Sequence, residues 1–300
     1  MKIIDFTKGF LKNPLAHWPF VNLSRAFYGN TAGAKQNLYG RAQLQYFRLL
    51  GKKDRSGSNA RQMRKVTEAV QRIHHTGLYL IDKPVIATTN VIRIREKIEL
   101  AFRDRISEGG YIATVDSNEL TERVPEVMEF VRSNLICNII QDFFKSAFHI
   151  DQIVYRMTTY VPDEILQDKE IYSNFWHCDS SPTSELALFV NLVDVDENTG
   201  PTNAISKVKT KLLVRKHFSE RNSFDPFAAY VDDERDVTRF IGPAGSVLFA
   251  QTTRCLHRAS IPDPGKVRHW LSIRLYPKNA PMVTDRVYKD PVLRYTHGRH

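Results

Sequence analysis

The sequence predicts an α+β fold in which a helical layer precedes a β-barrel. Apolar residues recur at helical spacing in the first half of the chain, most clearly over 60–75. From about residue 152 onward the chain consists of β-rich runs separated by Pro, Gly, Asn and Asp. Helices followed by a block of strands joined by turns favour a double-stranded β-helix, that is, a jelly-roll or cupin-like barrel, flanked by N-terminal helices.

The individual elements follow from the same patterns. Helices are predicted around 3–12, 22–28 and 41–50, and over 60–75, 90–107 and 118–147. Gly77 suits the end of the fourth helix, and Pro125 interrupts the last one because proline has no N–H to donate. Strands are predicted within the runs 78–85, 152–161, 184–195, 238–253 and 268–277.

These elements divide the chain into segments with different characters. We expect a basic, mostly helical segment over 1–75, an α/β lead-in packing on the barrel over 76–151, the barrel core over 152–277 and a C-terminal tail over 278–300. Within the core, residues 206–240 form a long insertion between barrel strands. Long insertions of this kind often cover a binding site.

The composition excludes several classes of protein. With 300 residues, 42% of them hydrophobic and 25% charged, the chain can bury a sizeable core, which excludes intrinsic disorder. No apolar run reaches the roughly 18 residues that a membrane-spanning helix needs. The three cysteines form no CxxC pair, and Lys8 and Lys12 stand where a secretory signal would be apolar. We therefore expect a cytoplasmic protein.

The positive charge is concentrated at the N-terminus. Of a net charge of +10, residues 1–75 contribute 14 Lys and Arg against three acids, interleaved with aromatic residues. This pattern fits a peripheral contact with an anionic membrane surface, or an anionic substrate. Nucleic acid is disfavoured because no nucleic-acid-binding signature accompanies the charge. A solvated basic face without a dedicated partner stays open as the third interpretation.

An HxD triplet is the first candidate for chemistry. His177 and Asp179 share one face of an extended segment, and a third ligand from a distant strand, such as His257, would complete a two-histidine, one-carboxylate set. That set leaves metal positions open, as iron(II) oxygenases require. A second triplet, His149 to Asp151, follows a predicted helix, and there we expect a helix terminus or a solvated cap.

The order of motifs adds specificity. WHCD at 176–179, ENTGP at 197–201, GSVLF at 245–249, then His257 and an arginine eleven residues later, Arg268, occur along 152–277. This arrangement resembles the iron(II)/2-oxoglutarate dioxygenase superfamily, and within it the phytanoyl-CoA dioxygenase-like family. The resemblance implies that His177, Asp179 and His257 bind Fe(II) and that Arg268 holds the distal carboxylate of the cosubstrate 2-oxoglutarate, with O2 as the second cosubstrate.

Other positions are candidates by the same resemblance. The family often has a hydroxyl residue two positions after the distal histidine, but Ala259 stands there and Ser260 follows one step later. A further cosubstrate contact commonly comes from the strand before HxD, where Arg156 and Thr158 are candidates. Arg274 competes with Arg268 for the role of cosubstrate arginine, although a structural role suits it better. The candidates for the substrate pocket are Trp176, Phe189 and Asn191.

The resemblance also implies a reaction. Related halogenases replace the carboxylate ligand by a small residue, so Asp179 favours hydroxylation, with release of succinate and CO2. We expect a small or lipid- or sugar-linked substrate, anionic if the basic N-terminus takes part in binding. Two alternatives remain: a non-catalytic jelly-roll protein that binds an anionic surface or polymer, and a cupin-type metalloenzyme that uses no 2-oxoglutarate.

Overall fold

The computed structural model describes residues 60–145, 148–166, 170–179, 185–215 and 229–277. The three helices predicted before residue 51 and the tail after 277 lie outside these ranges.

Within the described residues, the helical layer includes the helix predicted over 60–75. Its members are α1 (Ala60–Thr76), α2 (Thr88–Ala101), α3 (Arg103–Glu108), α4 (Ser117–Arg123), a 3-10 turn (Pro125–Met128), α5 (Glu129–Arg132) and α6 (Asn134–Phe144). Helix α1 ends at Gly77, whose φ of +83° favours glycine. The helix predicted over 90–107 is divided in two because the backbone leaves helical geometry at Phe102. The last predicted helix breaks at Pro125, as expected, and again at Ser133.

Nine named strands form two antiparallel sheets within the described ranges. They are β1 (Leu78–Ile81), β2 (Ile112–Val115), β3 (Phe148–Thr159), β4 (Leu186–Asn191), β5 (Thr202–Ile205), β6 (Val237–Arg239), β7 (Val247–Ala250), β8 (His257–Ala259) and β9 (Val267–Pro277). The large sheet has the order β1-β7-β4-β9-β3-β2 and the small sheet β6-β5-β8. Short helices α7 (Asp163–Leu166), α8 (Lys207–Arg215) and α9 (Asp233–Asp236) lie between strands. The mixed helix and antiparallel-sheet architecture is therefore as predicted.

The large sheet has two different faces. Leu271, Ile273 and Leu275 of β9 pack into an apolar core shared with the helices. On the opposite face, Trp270 joins Phe189 of β4 and Ala204 of the small sheet in a second cluster. This division follows the two-residue period of a strand, and it places the second cluster between the two sheets. The face of β9 that carries Arg268 therefore points into the space between the sheets.

Two local expectations need correction. His149 and Asp151 do not form a solvated cap, because both lie on β3 and are only 8% and 1% exposed. The predicted helix ends earlier than its periodicity indicates, and His149 instead pairs with Tyr276 of β9. In addition, the range 206–240 includes β6, which pairs with β5 in the small sheet. Within the described ranges, no helix is long and apolar enough to cross a membrane.

Candidate metal centre

His177, Asp179 and His257 come together between the sheets. Backbone pairing aligns the two histidines, since His177 N donates to His257 O (3.1 Å) and His257 N donates to His177 O (2.9 Å). Asp179 N donates to Thr252 O at 3.0 Å, which fixes the third residue. The Nε2 atom of each histidine lies 3.8 Å from Asp179 Oδ1. The three potential ligand atoms lie within 4.8 Å of one another, close enough to hold one metal ion.

The hydrogen bonds of the two rings determine which nitrogen of each ring can bind a metal ion. His177 Nδ1 is 2.8 Å from Phe175 O, and His257 Nδ1 is 3.1 Å from Cys255 O. A carbonyl oxygen only accepts hydrogen bonds, so each Nδ1 carries the proton. Each Nε2 then presents a lone pair toward Asp179. This is the orientation that a metal-binding imidazole needs.

The carboxylate of Asp179 is held in its ionised form. Burial opposes ionisation, but the neighbouring His257, Arg274 and His177 outweigh burial and lower the pKa of Asp179 to about 2. Arg274 is a permanent cation beside this carboxylate, with its Nη2 4.0 Å from Asp179 Oδ2. The site therefore brings two imidazole Nε2 atoms together with one ionised carboxylate.

Arg274 connects Asp179 to a buried acid. Arg274 Nε lies 3.8 Å from Oε1 of Glu185, a residue that is only 1% exposed. Glu185 also accepts hydrogen bonds from Thr252 Oγ1 (3.1 Å) and Tyr276 OH (2.6 Å). Both partners of Arg274 are thus protein carboxylates. This arrangement fits the structural role rather than the cosubstrate role for Arg274.

Arg268 is a buried cation of a different kind. Its side chain is 0% exposed, and its guanidinium carbon lies 4.9 Å from the centre of the Trp270 ring. Nη1 donates to Gly200 O (2.9 Å) and Nη2 to Thr202 Oγ1 (2.7 Å). Among the described residues no carboxylate pairs with it, and burial lowers its pKa to about 9. Arg268 is therefore fixed in place by neutral acceptors, and no carboxylate in the described ranges balances its charge.

Further buried polar groups near Trp270 have no partner among the described residues. They are Arg268 Nε, Trp270 Nε1, Ser246 Oγ and both side-chain atoms of Asn191, Nδ2 and Oδ1. Asn191 lies opposite Trp270 in the β4–β9 pair, and its N–H donates to Ser246 O at 3.1 Å. Most buried polar groups in proteins have a partner. A cluster of unsatisfied donors around an unpaired cation is the chemistry of a site for a carboxylate.

The structure brings some of the other predicted residues to this region. Thr158 lies directly opposite Arg268 in the β3–β9 pair, and Arg156 lies opposite Trp270. Phe189 packs against Trp270, with ring centres 5.7 Å apart. These residues, like Asn191, face the space between the sheets.

Two predicted residues lie elsewhere. Ser260 Oγ accepts a hydrogen bond from Asn203 Nδ2 (2.6 Å), on the opposite face of β5 from Thr202. Trp176 is fully buried in a third apolar cluster on the far side of the small sheet, with Leu256. The hydroxyl near Arg268 belongs instead to Thr202, which lies opposite Ala259 in the β5–β8 pair. Sequence reasoning missed Thr202 because only strand register brings it beside Ala259.

Comparison with solved structures identifies the fold. The non-heme alpha-ketoglutarate-dependent epimerase SnoN from nogalamycin biosynthesis matches with a TM-score of 0.53 and 14% identity, over 74% of this chain and 88% of SnoN. HygX from Streptomyces hygroscopicus, solved with nickel and 2-oxoglutarate bound, matches with a TM-score of 0.52 and 12% identity, over 70% of this chain and 86% of HygX. No family model and no curated protein sequence matches the chain. The chain therefore shares its fold with these enzymes.

Proposed function

We propose that this protein is a non-haem Fe(II)/2-oxoglutarate-dependent oxygenase. One observation carries the proposal: a His–Asp–His set whose Nε2 atoms lie near the Asp179 carboxylate shares the space between two sheets with a buried arginine that pairs with no carboxylate of the described residues. A metal site alone would fit many enzymes. Arg268, with no carboxylate partner among the described residues, supports an acidic cosubstrate in the same space. Of the two enzymes of shared fold, SnoN depends on alpha-ketoglutarate and HygX was solved with 2-oxoglutarate bound.

The strand order supports a double-stranded β-helix as the fold of this enzyme. Four neighbouring strands of the large sheet, in the order β7-β4-β9-β3, face the small sheet β6-β5-β8. The isolated bridge between His177 and His257 adds an eighth, very short strand next to β8. Two facing sheets of four antiparallel strands are the arrangement of a jelly roll. This is the barrel that the motifs of the phytanoyl-CoA dioxygenase-like family imply.

The donor set fits ferrous iron. Two imidazole nitrogens and one carboxylate oxygen on one side of a metal ion form the facial triad of non-haem iron(II) oxygenases. When bound, the iron would supply the activation of O2, coupled to oxidative decarboxylation of 2-oxoglutarate to succinate and CO2. His177, Asp179 and His257 would hold the ion. The carbonyl oxygens of Phe175 and Cys255 keep both imidazoles in the required tautomer.

The residues around Arg268 would hold the cosubstrate. The guanidinium offers a planar, permanently charged fork that matches a carboxylate. Thr202 and Thr158 place hydroxyl groups beside it, and Asn191 and Trp270 add N–H donors without partners. Complete burial excludes water from the ion pair, which strengthens it.

The outcome we propose is hydroxylation of a small-molecule or lipid- or sugar-linked substrate. The presence of Asp179 supports oxygen transfer over halogenation, because its carboxylate occupies the position that a halide would need. The basic segment 1–75 is proposed to contribute a peripheral contact with an anionic membrane surface or with the substrate. Vesicle flotation of the full chain with neutral and anionic lipids tests that contact, and equal binding to both would contradict it.

The test of the proposed function is an anaerobic titration. We expect 2-oxoglutarate added to the Fe(II)-loaded protein to produce a weak charge-transfer absorption band. His177→Ala should abolish the band because it removes one metal ligand. His75→Ala, which changes an exposed histidine at the end of α1, is the matched control and should retain it. A wild-type protein that binds no iron and gives no band would contradict the proposal.

A further inference from the structure

We propose that Arg156 binds an acidic group of the primary substrate: a carboxylate, sulfate or phosphate. The inference rests on the proposed function, because it assigns a substrate class to the same site. It starts from the position of Arg156 in the wall of the barrel.

Arg156 faces the space between the sheets. It lies in the middle of β3, opposite Trp270 of β9, two residues before Thr158, which lies opposite Arg268. Its guanidinium carbon lies 5.2 Å from the centre of the Trp270 ring. The same indole therefore contacts both arginines. Unlike Arg268, Arg156 is only partly buried, so a larger molecule can reach it.

The guanidinium of Arg156 has no acceptor. Among the described residues it makes no hydrogen bond and no ion pair. It makes a cation–π contact with the face of Trp270. The two other arginines on this side of the sheet differ from it. Arg268 donates to Gly200 O and Thr202, and Arg274 pairs with Glu185 and Asp179. Arg156 thus combines partial exposure with a full set of free donors.

The charges around Arg156 compensate its positive charge only in part. Burial and the charge of Arg274 lower the pKa of Arg156, whereas Asp179 and Asp116 act in the opposite direction. Asp179 is the proposed metal ligand and already contacts Arg274. An arginine nevertheless stays protonated in a protein, so Arg156 carries a positive charge into the space between the sheets, where no described carboxylate forms an ion pair with it. An acidic group of a bound molecule would neutralise it.

The cosubstrate does not account for this charge. 2-Oxoglutarate has two carboxylates, of which one is assigned to Arg268 and the other, next to the keto group, to the metal. Arg156 is therefore available to bind a third acidic group, which would belong to the primary substrate. A planar fork with free donors favours oxyanions with two adjacent oxygens.

Anion binding to the anaerobic Fe(II)·2-oxoglutarate complex tests the inference. The probe is benzenesulfonate, a poor iron ligand, and its neutral counterpart is benzenesulfonamide, with binding measured by calorimetry. We expect wild-type protein to bind the sulfonate in preference to the sulfonamide. Arg156→Met keeps the aliphatic stem on Trp270 and should weaken sulfonate binding about tenfold or more, whereas Arg156→Lys should restore part of it. Arg103→Met, in exposed helix α3, is the charge control and should bind like wild type.

The charge-transfer band separates this inference from the proposed function. If the band forms in both wild type and Arg156→Met but sulfonate binding is equal in the two, the inference fails and the oxygenase proposal stands. Equal binding of sulfonate and sulfonamide to wild type would likewise overturn the inference and leave the oxygenase proposal standing. If Arg156→Met instead loses the band, Arg156 serves 2-oxoglutarate and the inference is overturned. Absence of the band from wild type contradicts both proposals.

Discussion

Replacing Arg268 by methionine is expected to separate cosubstrate binding from metal binding. The side chain is 0% exposed, and Gly200 O and Thr202 Oγ1 already orient two of its nitrogens at 2.9 and 2.7 Å. The guanidinium is therefore arranged before any ligand arrives, and binding a carboxylate costs little ordering. Methionine keeps an unbranched apolar stem of comparable reach but removes the charge and every donor.

The size of the effect follows from the burial of the pair. Losing one member of a buried, hydrogen-bonded charge pair costs about 2 to 5 kcal/mol, and about 1.4 kcal/mol corresponds to a tenfold change in Kd. The Kd of 2-oxoglutarate should therefore rise about 30-fold to 4,000-fold. The His–Asp–His set is untouched, so bound iron should stay at one ion per chain. Arg268→Lys keeps the charge without the fork and should give an intermediate Kd.

The assay is the anaerobic titration with 2-oxoglutarate, run beside a metal analysis of each variant. Arg103→Met removes an exposed arginine and serves as the matched control. An unchanged Kd in Arg268→Met would refute the assignment of Arg268. If that variant also kept its oxygenase activity, a cupin-type metalloenzyme without 2-oxoglutarate would be the better account.

Three further predictions concern stability. Arg274→Met leaves Glu185 buried without its cation and should lower the free energy of unfolding, measured by urea titration, by about 3 kcal/mol. The double variant Arg274→Met with Glu185→Gln should recover part of this loss. Losses that simply add would contradict the pairing of the two residues. Burial lowers the pKa of His269 to about 4 although Glu99 lies 3.5 Å away. As the pH falls, the unfolded chain therefore binds a proton at this histidine before the folded chain does, and the free energy of unfolding should decrease by about 2 kcal/mol between about pH 7 and about pH 5. His269→Gln should remove that decrease, and a pH profile identical to that of the wild type would contradict the prediction. Gly77→Ala would press its Cβ against the buried sulfur of Cys255, so it should lower the melting temperature more than Gly110→Ala, which also has a positive φ but meets nothing within 4 Å. Equal shifts would show that backbone strain alone matters.

Parts of the site follow from sequence because they depend on local spacing. One residue, Cys178, separates His177 from Asp179, and a strand places both side chains on one face. The same period assigns Arg268 and Trp270 to one face of β9 and Leu271 to the other, as the structure has them. The α+β class was predictable for a similar reason, since helical and strand periods occupy different halves of the chain.

Other parts depend on which strands pair, and spacing carries no such information. Thr202 lies opposite Ala259 only because β5 and β8 align in one register. The same alternation turns Ser260 Oγ toward Asn203, on the other face. Trp176 directly precedes a proposed metal ligand, yet a one-residue step along a strand moves its side chain to the opposite side of the sheet. Neighbours in sequence are therefore poor guides to neighbours in the pocket.

Short elements escaped prediction for a different reason. Strand β2 has four residues, too few for an alternating pattern to stand out, and it forms by pairing with β3. His149 and Asp151 were assigned to a helix end because apolar residues continue at helical spacing up to Phe144. This segment forms a strand because it pairs with β9, and the β9 residues with which it pairs are more than a hundred positions away in sequence.

A crystal structure of the protein grown anaerobically with Mn(II) in place of iron, and with 2-oxoglutarate, tests the central claim most directly. The account predicts an anomalous peak bounded by His177 Nε2, His257 Nε2 and the Asp179 carboxylate, with the distal carboxylate of 2-oxoglutarate on Arg268. A metal bound elsewhere, or a cosubstrate carboxylate that makes no contact with Arg268, would contradict it.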